Sequence, residues 1–394
     1  MKAVGKTLKN INLNEAVFVT LMLYLSMAFF SFALSNILLG IAGAFFVIGY
    51  LNGEITLKAI NWKLYVVCVV PYLLTVISFF NSEAIISGLR YLNLRLPIIV
   101  VPFMLLSLKI EKPQIINGFK LLVVASLIAC GVTFYNAVKY FDQDILFKTD
   151  FVHFITIIQH PYFGVLVLIA LLSILEYQII SNKLFKWLVV IVFTLAIVLT
   201  TSRIVYISYF LAACFYLYSH FSRKQFILSF IAIAILSSIF LLFNKSVLNK
   251  FERSLDYDKS PRLKLWSNTF EAVDKTQSYY FGIGIGDFYK DKKDVYFAEN
   301  YSEAALGTYG FNPHSQPLEF YLTNGIFGIV ILLIAFMIYL KNLKSQSKFA
   351  HVIFIIIFLF STVECILDRQ YGVQIYAVLI PLLLTESFKT NETI

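Results

Sequence analysis

Long apolar runs alternate with short polar segments along most of the chain. A bilayer core about 30 Å thick needs roughly 20 apolar residues per helix, so each run is a candidate transmembrane helix, although several are short. About a dozen runs fit this description: 14–34, 36–51, 62–80, 96–108, 115–136, 161–178, 186–201, 204–219, 226–243, 318–340, 350–367 and 372–385. The pattern predicts an all-α, polytopic integral membrane protein with about twelve transmembrane helices in a single membrane domain, residues 1–394. The first run lacks a small-residue cleavage site, which predicts a signal anchor.

One polar stretch, residues 244–313, interrupts this pattern and predicts a single large extramembrane loop. Within it, Ser260 can cap a helix that begins at Pro261 and continues to Lys275, because apolar residues recur there at helical spacing. A loop of this size exceeds what a turn between two helices needs, so we expect the chemistry of the protein to lie there.

Three glycines later in the loop, Gly282, Gly284 and Gly286, do not have the spacing of a dinucleotide-binding fingerprint. They predict tight turns. The loop ends in an aromatic-rich segment that suits either sugar stacking or interface anchoring.

The composition agrees with a membrane protein: 59% of residues are hydrophobic, 14% are charged, and the mean hydropathy is +0.79. This excludes an ordinary soluble domain. The four cysteines, Cys68, Cys130, Cys214 and Cys365, all fall in apolar runs without metal-ligand spacing, so neither a disulfide framework nor a metal site is predicted.

The net charge of +9 reflects the distribution of basic residues between loops rather than a nucleic-acid site. With Met1 inside, basic residues concentrate in cytoplasmic segments such as 2–9, 109–120 and 341–348. The short outer loops carry few: Arg90, Arg95, Lys139, Lys148, Arg203 and Arg369. By the positive-inside rule, both termini are cytoplasmic and the large loop is outside. That loop has ten basic and ten acidic residues, so it is not a polybasic segment.

Arg203 lies in a predicted tight outer turn between two apolar runs. A guanidinium so close to hydrocarbon is costly unless it is paired, and its planar fork suits phosphate oxygens. The alternative is an arginine that only reaches lipid head groups. Arg262 begins the predicted loop helix, where the alternative is an ordinary solvated charge.

His314 lies where the loop meets the next apolar run, and its side chain suits proton transfer near neutral pH. The alternative is a hydrogen-bonded interfacial histidine. Glu319 lies just inside that run and needs a partner, either an arginine or His314 itself. His153 and His160 are interpreted as structural, because no other polar residue converges on them in sequence.

Four short patterns occur in order within residues 155–385. The first is Thr201-Ser202-Arg203 at the start of a run, and the second is Arg262-Leu263 and Leu265-Trp266, followed by the glycine-rich stretch from Phe281 to Phe288. The third is His314 with Leu318-Glu319, followed by Asn324-Gly325-Ile326-Phe327-Gly328, and the fourth is the stretch from Glu364 to Gly372, which contains Asp368-Arg369-Gln370-Tyr371. In this order and spacing they resemble the O-antigen ligase and O-antigen polymerase family of polytopic glycosyltransferases. Ser315 departs from the asparagine that many members have. The N-terminal third is similar to the family only in hydropathy.

The resemblance implies a GT-C-like enzyme of the bacterial inner membrane, with its active site facing the periplasm. The donor would be a glycan on undecaprenyl diphosphate, whose diphosphate Arg203 and Arg262 would bind. His314 would act near the acceptor hydroxyl, as general base or as its orienting partner. The supporting candidates are Glu319, Arg90, Arg95 and Arg369. Transfer would invert the anomeric carbon without a metal or other cofactor.

The acceptor distinguishes the possible functions. Lipid A–core would make the protein an O-antigen ligase in lipopolysaccharide biosynthesis, a second carrier-linked glycan a polymerase, and a protein a glycan ligase for glycoproteins. We favour the ligase, because basic outer residues concentrate around one large loop. A lipid-linked glycan transporter or flippase is the alternative from another class, and it predicts mid-span charges and internal repeats.

Overall fold

A computed structural model describes residues 12–140, 155–243, 260–287 and 312–385, together with the single positions 248, 249, 252 and 388. Every regular element in these ranges is helical. The α-helices within them are α1 Leu13–Ser26, α2 Phe32–Leu51, α3 Trp62–Phe80, α4 Ile85–Arg95, α5 Pro97–Ser107, α6 Lys112–Lys139, α7 His160–Glu176, α8 Lys183–Leu199, α9 Arg203–His220, α10 Arg223–Phe243, α11 Pro261–Lys275, α12 Gln316–Leu343, α13 Lys348–Val363 and α14 Gln370–Leu382.

Five helical segments in the described part of the chain are long and apolar enough to cross a membrane: α2, α3, the continuous stretch Ile85–Ser107 formed by α4 and α5, α6, and α12. Shorter apolar helices include α7, α9 and α13. The predicted helical membrane protein is therefore confirmed. The count of about twelve spans and their orientation stay predictions.

Helix α7 lies at the centre of the helical assembly. Every side chain from Pro161 to Ile174 is buried, and α7 packs against α6, α8, α9 and α13. A helix that is apolar all round is buried on all sides, which explains why α7 carries no polar stripe.

The segment before α5 differs from the prediction. Residues 81–95 were expected to form a short outer loop that carries Arg90 and Arg95. They form helix α4 instead, which continues into α5 because Leu96 has helical backbone angles and Pro97 takes the first position of the new helix. The low hydropathy of this segment concealed a helix, and Arg95 at its end is completely buried.

Helix α12 is broken at Gly325, which has φ 62° and ψ −158°. A loop from the polar stretch fills the break: the backbone N–H of Ile283 donates to the carbonyl of Leu322 at 2.8 Å, and Ile326 N–H donates to Tyr279 at 2.8 Å. Backbone groups freed by a break within a membrane need such partners, so the loop completes the helix.

The glycines of this loop are required by close backbone approach. A Cβ at Gly282, where φ is 72°, would lie 2.3 Å from the amide nitrogen of Asn324. A Cβ at Gly325 would lie 2.4 Å from the carbonyl carbon of Tyr280. The predicted tight turns are confirmed, and their role is to dock the polar stretch into α12.

The predicted loop helix is also confirmed as α11, with the Ser260 side chain accepting a hydrogen bond from Leu263 N–H. Its buried residues Leu265, Ala272 and Val273 pack with Leu322 of α12. Helix α11 is thus held against the N-terminal half of α12.

Candidate active site

One carboxylate joins two of the predicted site residues. Oε1 of Glu364 accepts a hydrogen bond from Nη2 of Arg262 at 2.7 Å, and Oε2 lies 3.1 Å from Nδ1 of His314. The Glu364 side chain is 14% exposed, whereas His314 is 37% exposed. The cluster is therefore closed around the carboxylate and open at the imidazole.

Helix α11 carries Arg262 in its first turn, beside the N-terminal cap. One turn later, the indole N–H of Trp266 donates to the backbone carbonyl of Pro313 at 3.0 Å. This bond ties α11 to the residue immediately before His314. It therefore fixes the position of Arg262, on α11, relative to His314.

His314 itself has a left-handed backbone, with φ 46°. Such a conformation costs a residue other than glycine about 1–3 kcal/mol and persists only where the surroundings hold it. Here the backbone N–H of His314 donates to Oδ1 of Asn312 at 3.0 Å. The turn aims the imidazole at Glu364.

The charges around Glu364 outweigh its burial. Burial alone would raise the pKa of this carboxyl, but the hydrogen bond with His314 and the electrostatic influence of His314, Arg262 and His160 lower the pKa below its usual value. Glu364 therefore stays ionised, and it draws a proton towards Nδ1 of His314.

Arg203 approaches the same cluster from another helix. The turn from Thr200 to Ser202 joins α8 to α9, and Thr201 takes a left-handed conformation with φ 47°. Arg203 begins α9, half-buried, and its guanidinium lies close enough to Arg262 for the two charges to repel each other. Two neighbouring cations near a loop edge form a place where an anion binds favourably.

A second, fully buried cluster lies behind the first. The guanidinium of Arg95 forms ion pairs with Glu319 and with Asp368, and its Nη1 donates to Oγ1 of Thr75 at 2.9 Å. Arg95 and Glu319 are both 0% exposed. Glu319 thus has an arginine as its partner, and Arg95 lies inside the protein rather than in an outer loop.

Glu319, Cys365 and Asp368 bring potential metal-ligand atoms within 4.8 Å of one another. The two carboxylates are already bound by Arg95. A guanidinium that supplies the positive charge makes this group an ion-pair cluster rather than a metal site.

The structure does not bring every supporting candidate to the site. Arg90 is exposed on α4, and Arg369 is exposed just before α14. Among the described residues, neither forms an ion pair or hydrogen bond with Arg262, His314 or Glu364. His153 and the aromatic tail of the polar stretch lie outside the described residues.

The sequence patterns predicted no role for Glu364 and a structural role for His160, which has an electrostatic influence on Glu364. Glu364 lies 50 residues beyond His314, with two helices between them. The available signal was its position, because a carboxylate within an apolar run, here 350–367, needs a partner.

Residues 188–333 match the family described as O-Antigen ligase. This part of the chain is similar to that family. A comparison with curated protein sequences finds no match. The matched segment contains Arg203, Arg262 and His314, and the match supports a membrane glycosyltransferase of the O-antigen ligase or polymerase type. Glu364 lies beyond the segment, on the part of the chain that completes the cluster.

Proposed function

We propose that the protein moves a glycan from undecaprenyl diphosphate to lipid A–core on the periplasmic side of the bacterial inner membrane. The observation that carries this proposal is the Glu364 carboxylate shared between Arg262 and His314. It holds a guanidinium that can bind a diphosphate next to an imidazole that can accept the proton of a hydroxyl group.

His314 acts as the general base in this proposal. An ionised carboxylate at Nδ1 favours the tautomer with its proton there, which leaves the lone pair on Nε2. That nitrogen can accept the proton of the acceptor hydroxyl while the oxygen attacks the anomeric carbon. A base oriented by a third group is a recurring arrangement in enzymes that activate hydroxyls.

Arg203 and Arg262 neutralise the leaving group. The anomeric bond breaks as the acceptor oxygen attacks, and its electron pair goes to the diphosphate. Fixed cations aimed at this developing charge stabilise the transition state. Glu364 uses Nη2 of Arg262, and a guanidinium has further N–H groups for phosphate oxygens. We propose that transfer proceeds with inversion and without a metal.

An apolar cavity beside the site supports a lipid-linked donor. It has a volume of about 260 Å³ and lies between α3, α12, α13 and α14. Its lining includes Gln316 and Ser361, which are near His314 and Glu364 in sequence, and apolar residues such as Val67, Phe336 and Tyr376. We propose that it takes the first isoprene units of the carrier, leaving the diphosphate at Arg262.

We propose about twelve spans with both termini in the cytoplasm, in agreement with the basic residues of the inner segments.

The acceptor is tested by reconstituting the protein with a glycan linked to undecaprenyl diphosphate and offering lipid A–core, a second carrier-linked glycan, or an acceptor protein. Product only with lipid A–core supports the ligase. Product only with one of the others assigns the polymerase or the protein glycan ligase. Loss of activity with a chelator contradicts the metal-free mechanism.

Two observations favour a lipid-linked glycan transporter as the second candidate. Broken helices and charges within the membrane domain occur in transporters, and α12 is broken while Arg95, Glu319 and Asp368 are buried. These charges are paired with one another, and the break is filled by the loop. Movement of the lipid-linked glycan across the membrane of proteoliposomes, without any transfer product, would favour the transporter.

A further inference from the structure

His314 is held from two sides. Glu364 binds its ring, and Asn312 binds its backbone. We propose that Asn312 and Asp368 are positioning residues that fix His314 in its left-handed conformation and so set the contact of its ring with Glu364. This proposal rests on the role of His314 as general base.

Asn312 uses both ends of its amide. Oδ1 accepts the backbone N–H of His314 at 3.0 Å, and Nδ2 donates to Oδ2 of Asp368 at 2.8 Å. The Asn312 residue is only 7% exposed. Because donor and acceptor are both used, the amide has one orientation that satisfies its neighbours. That orientation places Oδ1 where it accepts from the backbone N–H of His314 and so stabilises the turn.

Asp368 is itself anchored. Its Oδ1 accepts from Nη2 of Arg95 at 2.9 Å, and Arg95 also donates to the carbonyl of Leu367 at 3.2 Å and to Thr75. The anchor therefore begins on α3 and α4, in the interior, and reaches the site through two side chains. A buried and fully bonded network of this kind is rigid.

The buried cluster thus has a consequence for the chemistry although it does not touch the substrate. The ring of His314 keeps its 3.1 Å contact with Glu364 only if the backbone turn is held. A displacement of about 1 Å at a reacting group can lower a rate about 10²-fold, so this anchor affects turnover more than substrate binding.

An exchange of the two side chains tests the proposal. Asn312→Asp keeps the acceptor for His314 N–H but sets two carboxylates against each other. Asp368→Asn sets two amide donors against each other. The double variant N312D/D368N restores one donor and one acceptor, keeps the total charge and leaves an acceptor for Arg95. We expect each single variant to lower kcat about 10²-fold with little change in KM, and the double variant to recover most of the rate. The matched control is Asn117→Asp, at an exposed site of α6, which should retain wild-type kcat.

A second readout does not depend on activity. The chain has five histidines, so ¹⁵N-histidine NMR can resolve His314, assigned by its loss in His314→Gln. We expect the Nδ1–H tautomer in the wild type, its loss in each single variant and its return in N312D/D368N. An unchanged His314 signal in both single variants, or a double variant as impaired as either single one, overturns the proposal that Asn312 and Asp368 position His314. If His314→Gln transfers glycan at the wild-type rate, the proposed function fails, while the NMR series still decides whether Asn312 and Asp368 position the ring.

Discussion

At the scale of single residues, Glu364 has the largest influence on the proposed chemistry, because its carboxylate contacts both Arg262 and His314. Glu364→Gln removes the negative charge that favours the Nδ1–H tautomer. We expect kcat to fall roughly 10²-fold or more, the contribution of a positioned base. Steady-state transfer kinetics measure this.

The control for this variant is Glu271→Gln on α11, whose ion pair with Lys275 is exposed. It should leave kcat unchanged, because exposed ion pairs contribute little. A Glu364→Gln variant as active as this control would remove Glu364 from the mechanism.

The lowered pKa of Glu364 also predicts a pH dependence of stability. A carboxyl whose pKa is depressed by folding stabilises the folded protein above its ordinary pKa, and this stabilisation is lost as the pH falls through the folded value. The difference in unfolding temperature between the wild type and Glu364→Gln should therefore be largest near neutral pH and shrink on acidification. A difference that grows towards acid pH would have the wrong sign.

The role of Arg203 is tested by Arg203→Lys, which keeps the positive charge but removes the planar guanidinium that can donate two hydrogen bonds to one phosphate. Hydrogen bonds to charged groups contribute about 1.5–3 kcal/mol, and about 1.4 kcal/mol is a factor of ten, so we expect kcat/KM to fall at least about tenfold. Arg223→Lys, at the exposed start of α10, is the matched control. Full activity in Arg203→Lys would show that Arg203 is only a point charge or an anchor.

Three residues of the cluster were predictable from local sequence, because Arg203, Arg262 and His314 stand at the edges of apolar runs or at a helix start. Their partners were not. Glu364 contacts His314 and Arg262 across 50 and 102 residues, and Arg95 pairs with Glu319 and Asp368 across 224 and 273 residues. Pairing at that distance in sequence depends on how the helices pack.

At the scale of elements, most helices follow the apolar pattern closely, as the predicted run 62–80 and α3 Trp62–Phe80 show. The break in α12 does not follow from the pattern, because an apolar run has the same composition whether its helix is continuous or broken. The break depends on Gly325 and on the loop that fills it.

Gly325→Ala tests this arrangement. Its positive φ and the nearby Tyr280 carbonyl leave no room for a Cβ, so we expect a loss of stability greater than about 1 kcal/mol, measured as a lower unfolding temperature in detergent. Gly43→Ala on α2 is the control, since nothing lies within 4 Å of the added carbon. It should be neutral or stabilising. Equal unfolding temperatures for the two variants would contradict the docking of the loop.

At the scale of the whole molecule, α12 is proposed to cross the bilayer from the site to the cytoplasm. Ser267→Cys on the exposed side of α11 should react with an impermeant maleimide in intact spheroplasts. Ser345→Cys, beyond the far end of α12, should react only after permeabilisation. The unaltered protein gives the background, because three of its cysteines are buried and Cys214 is partly buried. Labelling of Ser345→Cys alone in intact spheroplasts would invert the proposed orientation.

We propose that His314 activates an acceptor hydroxyl, which attacks a glycan held on a lipid diphosphate. A single-turnover transfer reaction in proteoliposomes tests this role by comparing the wild type with His314→Ala at matched protein and donor. We expect release of undecaprenyl diphosphate together with the glycosylated acceptor in the wild type, and loss of both in His314→Ala with membrane insertion intact. Transfer by His314→Ala at the wild-type rate would contradict it.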